Sequence, residues 1–414
     1  MPDGGVTTPG TGSRRRLPRN VLVLSWVSFF ADASSEMLYP VFPTFVTQTL
    51  GASPAVLGLI EGVAEGTASI GKAISGRLAD RVSRRRPMIA AGYGVSAIAK
   101  PIIGLARTWP LALVGRFVDR AGKGLRDSPR DAVVASDTSQ ETRGKGFGFQ
   151  RAFDTAGAVV GPLIGLALYE ALGHRIRPLF FIAVIPGAIS VGLVFLVREQ
   201  PRQGSARRSA RERPQGSSAS IGALPRRYWE LLLVLGLFNL VNFSDSLLIL
   251  RAKEVGLGFA EVILVYALFN LSYAALSYPA GVVSDRVPRR IVYAGGLLIF
   301  AVAYVGLGLV RSTAWVWVLF AVYGGYWALT DGVGRAWVSD VSPPELVGTG
   351  LGLYQGLVGV CVLAAGVWAG LAWGGTGRLP LILSGSAVAL LAIALLTVGR
   401  RLDPPRTASP PPAG

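Results

Sequence analysis

Gly76-Arg77-Leu78-Ala79-Asp80-Arg81-Val82-Ser83-Arg84-Arg85 closes one long apolar stretch, and Gly281-Val282-Val283-Ser284-Asp285-Arg286-Val287-Pro288-Arg289-Arg290 closes another, 205 residues later. Both keep the spacing of a glycine, an aliphatic residue, an Asp-Arg pair and an Arg-Arg pair. A second match follows at offsets of 203 and 204: Ser136-Asp137, Glu141, Gly144, Gly146 and Gly148 reappear as Ser339-Asp340, Glu345, Gly348, Gly350 and Gly352. Self-similarity at half the chain length marks two copies of one structural unit.

Around these loops the chain is apolar. Its 414 residues are 51% hydrophobic and only 16% charged, with mean hydropathy +0.48, a balance foreign to a water-soluble domain. One cysteine, Cys361, excludes a disulfide scaffold, and with one histidine, His174, the usual zinc or haem ligands are nearly absent. Windows of about 20 apolar residues, the length that crosses a bilayer, are predicted at 20–50, 54–76, 87–107, 109–134, 144–171 and 178–197. Six more follow at 228–250, 257–281, 290–311, 313–338, 347–374 and 378–398. The predicted fold is therefore all-α, with twelve transmembrane helices in two pseudo-symmetric six-helix bundles. The first window is too long for a signal-peptide core and runs on into further apolar segments.

The net charge of +17 sits in loops rather than on a nucleic-acid-binding face. Arg14, Arg15, Arg16 and Arg19 precede the first span, Arg81 and Arg84 to Arg86 follow the second, Arg286, Arg289 and Arg290 the eighth, and Arg400 and Arg401 the last. All fall on one side, which the positive-inside rule makes cytoplasmic. The predicted organisation is a cytoplasmic tail (1–19), a first bundle (20–198), a basic linker (199–227), a second bundle (228–399) and a cytoplasmic tail (400–414). The linker, rich in Arg, Ser, Pro and Gly, reads as a flexible segment held to anionic lipid.

The 76–85 loop resembles the Gly-x-Leu-x-Asp-Arg-x-Gly-Arg-Arg loop of the major facilitator superfamily, with Ser83 in place of the second glycine. Arg116 matches the family's fourth-helix arginine, and Gly157, Gly161, Pro162 and Gly165 partly resemble the fifth-helix motif of its drug:proton antiporters. The resemblance implies the two-bundle fold, alternating access and a gating role for Gly76, Asp80, Arg81, Arg84, Gly161, Pro162, Asp285 and Arg286. Asp80 is expected to meet the positive N-terminus of the eleventh helix near Gly348, and Asp285 that of the fifth near Gly144. The plainer alternative is that the arginines only set topology and the glycines only pack.

Charge inside spans is costly and therefore informative. Over 179–197, 291–310 and 379–398 the sixth, ninth and twelfth spans carry none and can face lipid, whereas the first, fourth, seventh and tenth carry most of it. Asp32 and Glu36 share a face one turn apart in the first span, and mutual repulsion of two carboxylates favours one holding a proton. They are the proton-coupling candidates; the alternative is a permanent ion pair with Arg116 or Arg120. Glu61 and Glu65 read as structural ion pairs with Lys100 neutralising one, Arg151 and Asp154 as a local pair, and Arg126, Asp127, Arg130 and Asp131 as a solvated network.

The substrate-binding candidates are Arg116, Asp119, Asn239, Asp245, Tyr323, Tyr326 and Trp327, with Trp26 and Phe30 extending the aromatic wall. The leading expectation is proton-coupled efflux of small organic or amphipathic compounds. A symporter for an organic anion or sugar, drawing on Arg116, and a non-transporting sensor are the alternatives. The chain carries no nucleophile elbow or phosphate-cradling loop, so an enzyme is not expected, nor a cofactor or metal. The expected partners are a small-molecule substrate, protons and membrane lipid, with no nucleic acid; the chain is expected to act as a monomer in a bacterial inner membrane.

Overall fold

The computed structural model describes residues 17–82, 84–138, 143–198, 221–343 and 346–403. Among them the secondary structure is helical. The first half holds α1 (Arg19–Glu36), α2 (Phe42–Thr44), α3 (Pro54–Arg81), α4 (Arg86–Gly104), α5 (Trp109–Asp137), α6 (Arg143–Ala171), α7 (Arg177–Ile182) and α8 (Val184–Val194). The second half holds α9 (Arg226–Asn239), α10 (Asp245–Val255), α11 (Phe259–Arg286), α12 (Arg289–Leu309), α13 (Thr313–Val341), α14 (Val347–Leu371) and α15 (Arg378–Thr397). Among the described residues α6, α11, α12, α14 and α15, and α7 with α8 taken together, are long and apolar enough to span a membrane on composition alone. The linker segment 199–220, Ser83, Glu345 and the side chains of Asp80, Arg81 and Asp285 lie outside the described residues.

Three predicted spans are interrupted. The first breaks over residues 37–41 and finishes as α2 and a π-turn at Phe45–Thr49, because Pro40 and Pro43 withhold the N–H groups a continuous helix needs. The seventh breaks at the equivalent place, residues 240–244, and restarts where the Ser244 hydroxyl accepts from the Ser246 N–H at 3.3 Å. The sixth breaks at Ala183, since Pro186 has no N–H for the Ile182 carbonyl.

Positions related by the internal repeat meet across the seam between the halves. Tyr39 and Ser244, 205 apart, have their hydroxyls 3.4 Å from each other, and Lys253 donates to the Gln48 amide oxygen, also 205 away, at 2.8 Å. These contacts place the interrupted spans on the pseudo-twofold axis.

Glycine brings the halves into backbone contact. A Cβ on Gly58 of α3 would lie 2.1 Å from the Gly366 carbonyl of α14, and Gly62, Gly66, Gly359 and Gly370 make the same seam tight. The contact ends near Ser69. Beyond it Ile70, Ile74 and Leu78 are exposed, and Gly348, Gly352 and Gly356 face open space. On the other side of the molecule, Tyr169 of α6 packs on Phe259 of α11 with centroids 4.1 Å apart, while Gly148 and Gly281 face open space. The halves are thus closed at one end and separated at the end bearing the 76–85 and 281–290 loops.

The charge-free spans show exposed aliphatic faces, among them Ile185 on α8, Val302 on α12 and Leu390 on α15. α12 is less peripheral than expected, because Leu297, Phe300 and Tyr304 pack into the core of the second half.

Candidate functional site

The interior of the first half is built on ion pairs between α3 and α5. The Arg116 guanidinium donates from Nε and Nη2 to Glu61 Oε1 and Oε2 at 2.9 and 3.0 Å, and both residues are buried. Fork-on-carboxylate geometry of this kind supplies two charge-assisted hydrogen bonds at once. One turn on, Arg120 pairs with Glu65 at 3.1 Å. The expected acidic-pair neutraliser, Lys100, instead donates to the Ser96 carbonyl at 3.3 Å, and neither Asp32 nor Glu36 forms an ion pair with Arg116 or Arg120. Two pairs at four-residue spacing on both helices require the α3–α5 register, which spacing within one helix does not reveal.

Two other expected networks differ. Arg126 is buried with its guanidinium 4.2 Å from the Tyr93 ring centre, not solvated, while Lys72 rather than a neighbour on α5 makes the close pair with Asp127 at 3.2 Å. Arg151 reaches across the seam to the Tyr273 hydroxyl and to Asp331 Oδ2 at 3.2 Å. It does not pair with Asp154, whose Oδ1 is buried without a hydrogen-bond partner among the described residues.

Between the halves lies a cavity of about 330 Å³ lined from both sides, with Glu36, Glu65 and Arg120 on one and Asp245, Tyr326 and Asp331 on the other. Glu36 Oε2 accepts the Tyr266 hydroxyl of the opposite half at 2.7 Å. Asp245 Oδ1 accepts the Tyr323 hydroxyl at 2.7 Å, and Asn242 donates to the Tyr326 hydroxyl at 3.0 Å.

Of the sequence candidates, Glu36, Asn239, Asp245, Tyr326 and Trp327 line this cavity. Tyr323 stands behind Asp245, and Arg116 and Asp119 are buried behind the wall, 3.6 Å apart. Asp32 is half-buried on α1 and makes no hydrogen bond or ion pair with a described residue; Lys123, Arg126 and Arg130 supply its opposing charge. Trp26 is half exposed and packs with Phe29, Phe30 and Phe153, away from the cavity lining. Gly161 abuts the Ala33 carbonyl of α1, where a Cβ would lie 2.7 Å away, so the Gly161-Pro162 segment packs α6 on α1 within one half. Gly76 packs loosely on Ser128, and Arg84 and Arg286 are exposed. Tyr39 and Tyr266, stacked with centroids 5.2 Å apart, also line the cavity and were not among the sequence candidates.

Two related helical bundles around a polar cavity in an otherwise apolar chain define an integral membrane transporter. The family model of the Major Facilitator Superfamily matches residues 24–251 and 246–414, and the chain belongs to that superfamily. An uncharacterized MFS-type transporter of Methanocaldococcus jannaschii is 34% identical over 388 residues, which cover 92% of this chain and 95% of that one. A multidrug resistance protein, MdtG, of Yersinia enterocolitica is 28% identical over 195 residues, 44% of each chain. Among solved structures, a bacterial homologue of the human lysosomal transporter Spinster shares the fold with TM-score 0.72 at 17% identity, covering 95% of this chain and all of that one.

Proposed function

We propose that this superfamily member exports small organic or amphipathic solutes in exchange for protons, by alternating access. The carrying observation is the Glu36–Tyr266 hydrogen bond. It joins a carboxylate of one half to a hydroxyl of the other beside the cavity, so any motion that parts the halves at the closed end changes what that carboxylate is bonded to. Asp32, one turn away and without a bonded partner among the described residues, is the second proton-carrying group. The partial similarity to a multidrug resistance protein supports export. The Lys/Arg bias of the loops supports placing both termini in the cytoplasm of a bacterial cell, with the cavity open to that side. In this reading Asp80, Arg81, Arg84, Asp285 and Arg286 gate the open end, with Gly76, Gly161 and Pro162 allowing the helices to approach, and the chain works as a monomer.

Proteoliposomes with an imposed pH gradient test the coupling independently of protein orientation. Interior-acid vesicles accumulate solute if protons leave as solute enters, and Asp32→Asn or Glu36→Gln removes the gradient dependence. Accumulation driven only by exterior acid marks symport and overturns the proposal. Asp80→Asn is expected to abolish transport while membrane insertion is kept; normal flux removes its gating role.

A further inference from the structure

We infer that the cavity selects an organic cation, an onium group on an aromatic or aliphatic body, with Glu36 and Asp245 as its counter-charges. This rests on the cavity being the transport site, and it adds the charge of what enters. Four carboxylates face the cavity. Glu65 is answered by Arg120 at 3.1 Å, and Asp331 by Arg335 at 2.6 Å and Arg151 at 3.2 Å. Glu36 and Asp245 have no ion pair among the described residues; each is held only by a tyrosine hydroxyl, which orients a carboxylate without cancelling its charge. Arg116 does not answer them, because Glu61 and Asp119 already do for it. Lys123, a lining cation without an ion pair among the described residues, lies on α5 beyond Arg120 toward the open end, where Asp32 and Asp127 supply opposing charge. At Glu36 and Asp245, therefore, negative charge is left without an ion pair among the described residues.

The surrounding surface fits the same ligand. Tyr39 and Tyr266 are stacked, and Tyr326 and Trp327 meet edge to face with centroids 5.7 Å apart. Faces of such rings attract cations, most strongly where water is excluded. The protein already uses one so, with the Arg116 guanidinium 5.3 Å from the Tyr39 ring centre and 5.0 Å from that of Phe42.

Three probes of one shape and different charge decide the matter: benzyltrimethylammonium, its neutral carbon isostere neopentylbenzene, and the anion phenylmethanesulfonate. Calorimetric titration of the purified full chain in detergent should show the cation binding at least about tenfold more tightly than either other probe, the factor that a 1.4 kcal/mol preference gives. Glu36→Gln and Asp245→Asn should each remove about tenfold from cation affinity or more and leave the neutral probe unchanged. Glu36→Asp, which keeps the charge, should keep most of the cation preference and separates charge loss from misfolding. Equal binding of all three probes, preference for the sulfonate, or unaltered cation binding in both neutralised variants overturns the inference. A protein that binds the cation but carries nothing under a pH gradient overturns the export reading instead; one that exports neutral solutes and shows no cation preference overturns this inference and leaves export standing.

Discussion

The two halves share a backbone plan and fill it with different chemistry. Inside the first, α3 and α5 bury Glu61, Arg116, Asp119 and Arg120 as paired ions. The corresponding interior of the second is aromatic, with Phe238, Phe300, Tyr304, Tyr323 and Tyr326 in mutual ring contact. Buried ion pairs depend on each partner's presence, whereas an aromatic cluster spreads its energy over many contacts. The first half is thus a charge-locked wall and the second an aromatic one that carries Asp245 and Asp331, and the cavity inherits one surface from each.

The largest expected effect breaks the ionic wall. Arg116→Ala leaves Glu61 buried without its partner and should lower stability by about 3–5 kcal/mol, read as a fall in thermal unfolding temperature in detergent. The Glu61→Leu, Arg116→Met double variant should recover most of that loss. A loss of under about 1 kcal/mol in Arg116→Ala would mean that the pair is solvated and the contrast between the halves is wrong.

Next is the glycine seam between α3 and α14, where backbone meets backbone. Gly366→Leu forces a side chain into the space occupied by Gly58 and Gly62; overpacking costs about 1–3 kcal/mol, and the closed end should be held apart. Cysteine labelling at Ala55 should rise in this variant; unchanged labelling would show that the seam does not set the conformation. Tyr266→Phe is gentler. It removes the cross-half bond to Glu36, worth about 1–2 kcal/mol, and should weaken the dependence of transport on the pH gradient without changing the fold; full coupling in this variant would remove the bond from the mechanism.

Much of the architecture was readable because the bilayer forces long apolar windows and the repeat makes the second half a check on the first. The breaks at 37–41 carry a visible cause in Pro40 and Pro43, yet those at 240–244 carry neither proline nor glycine and emerge only from the symmetry. Charges within spans were legible as such, while their partners were not, since Glu61 finds Arg116 through the facing of two helices separated by 55 residues. The seam left a signal that could have been used: Gly58, Gly62 and Gly66 recur every fourth residue, the small-residue spacing of close helix contact. Tyr39 and Tyr266 left none, because their roles exist only once the halves meet.

The smallest expected effect concerns the Arg151 link. Of the described side-chain hydrogen bonds joining the halves, it lies closest to the open end, and Arg151 shares Asp331 with Arg335 and the Tyr273 hydroxyl. The Arg151 side chain is about half exposed, so its ion pair contributes about 0–1 kcal/mol and is screened by salt. Arg151→Ala should therefore leave unfolding temperature nearly unchanged, and any difference should vanish at about 1 M salt, where the screening length is about 3 Å. The consequence belongs to kinetics. A bond spanning the opening is among the first to be remade or broken when the halves rock, so the variant should alter transport rate at low salt and converge with the parent at high salt. If the rate difference persists at high salt, Arg151 acts through packing on Tyr273 rather than through charge, and the second half, not the first, supplies the rigid side of that contact.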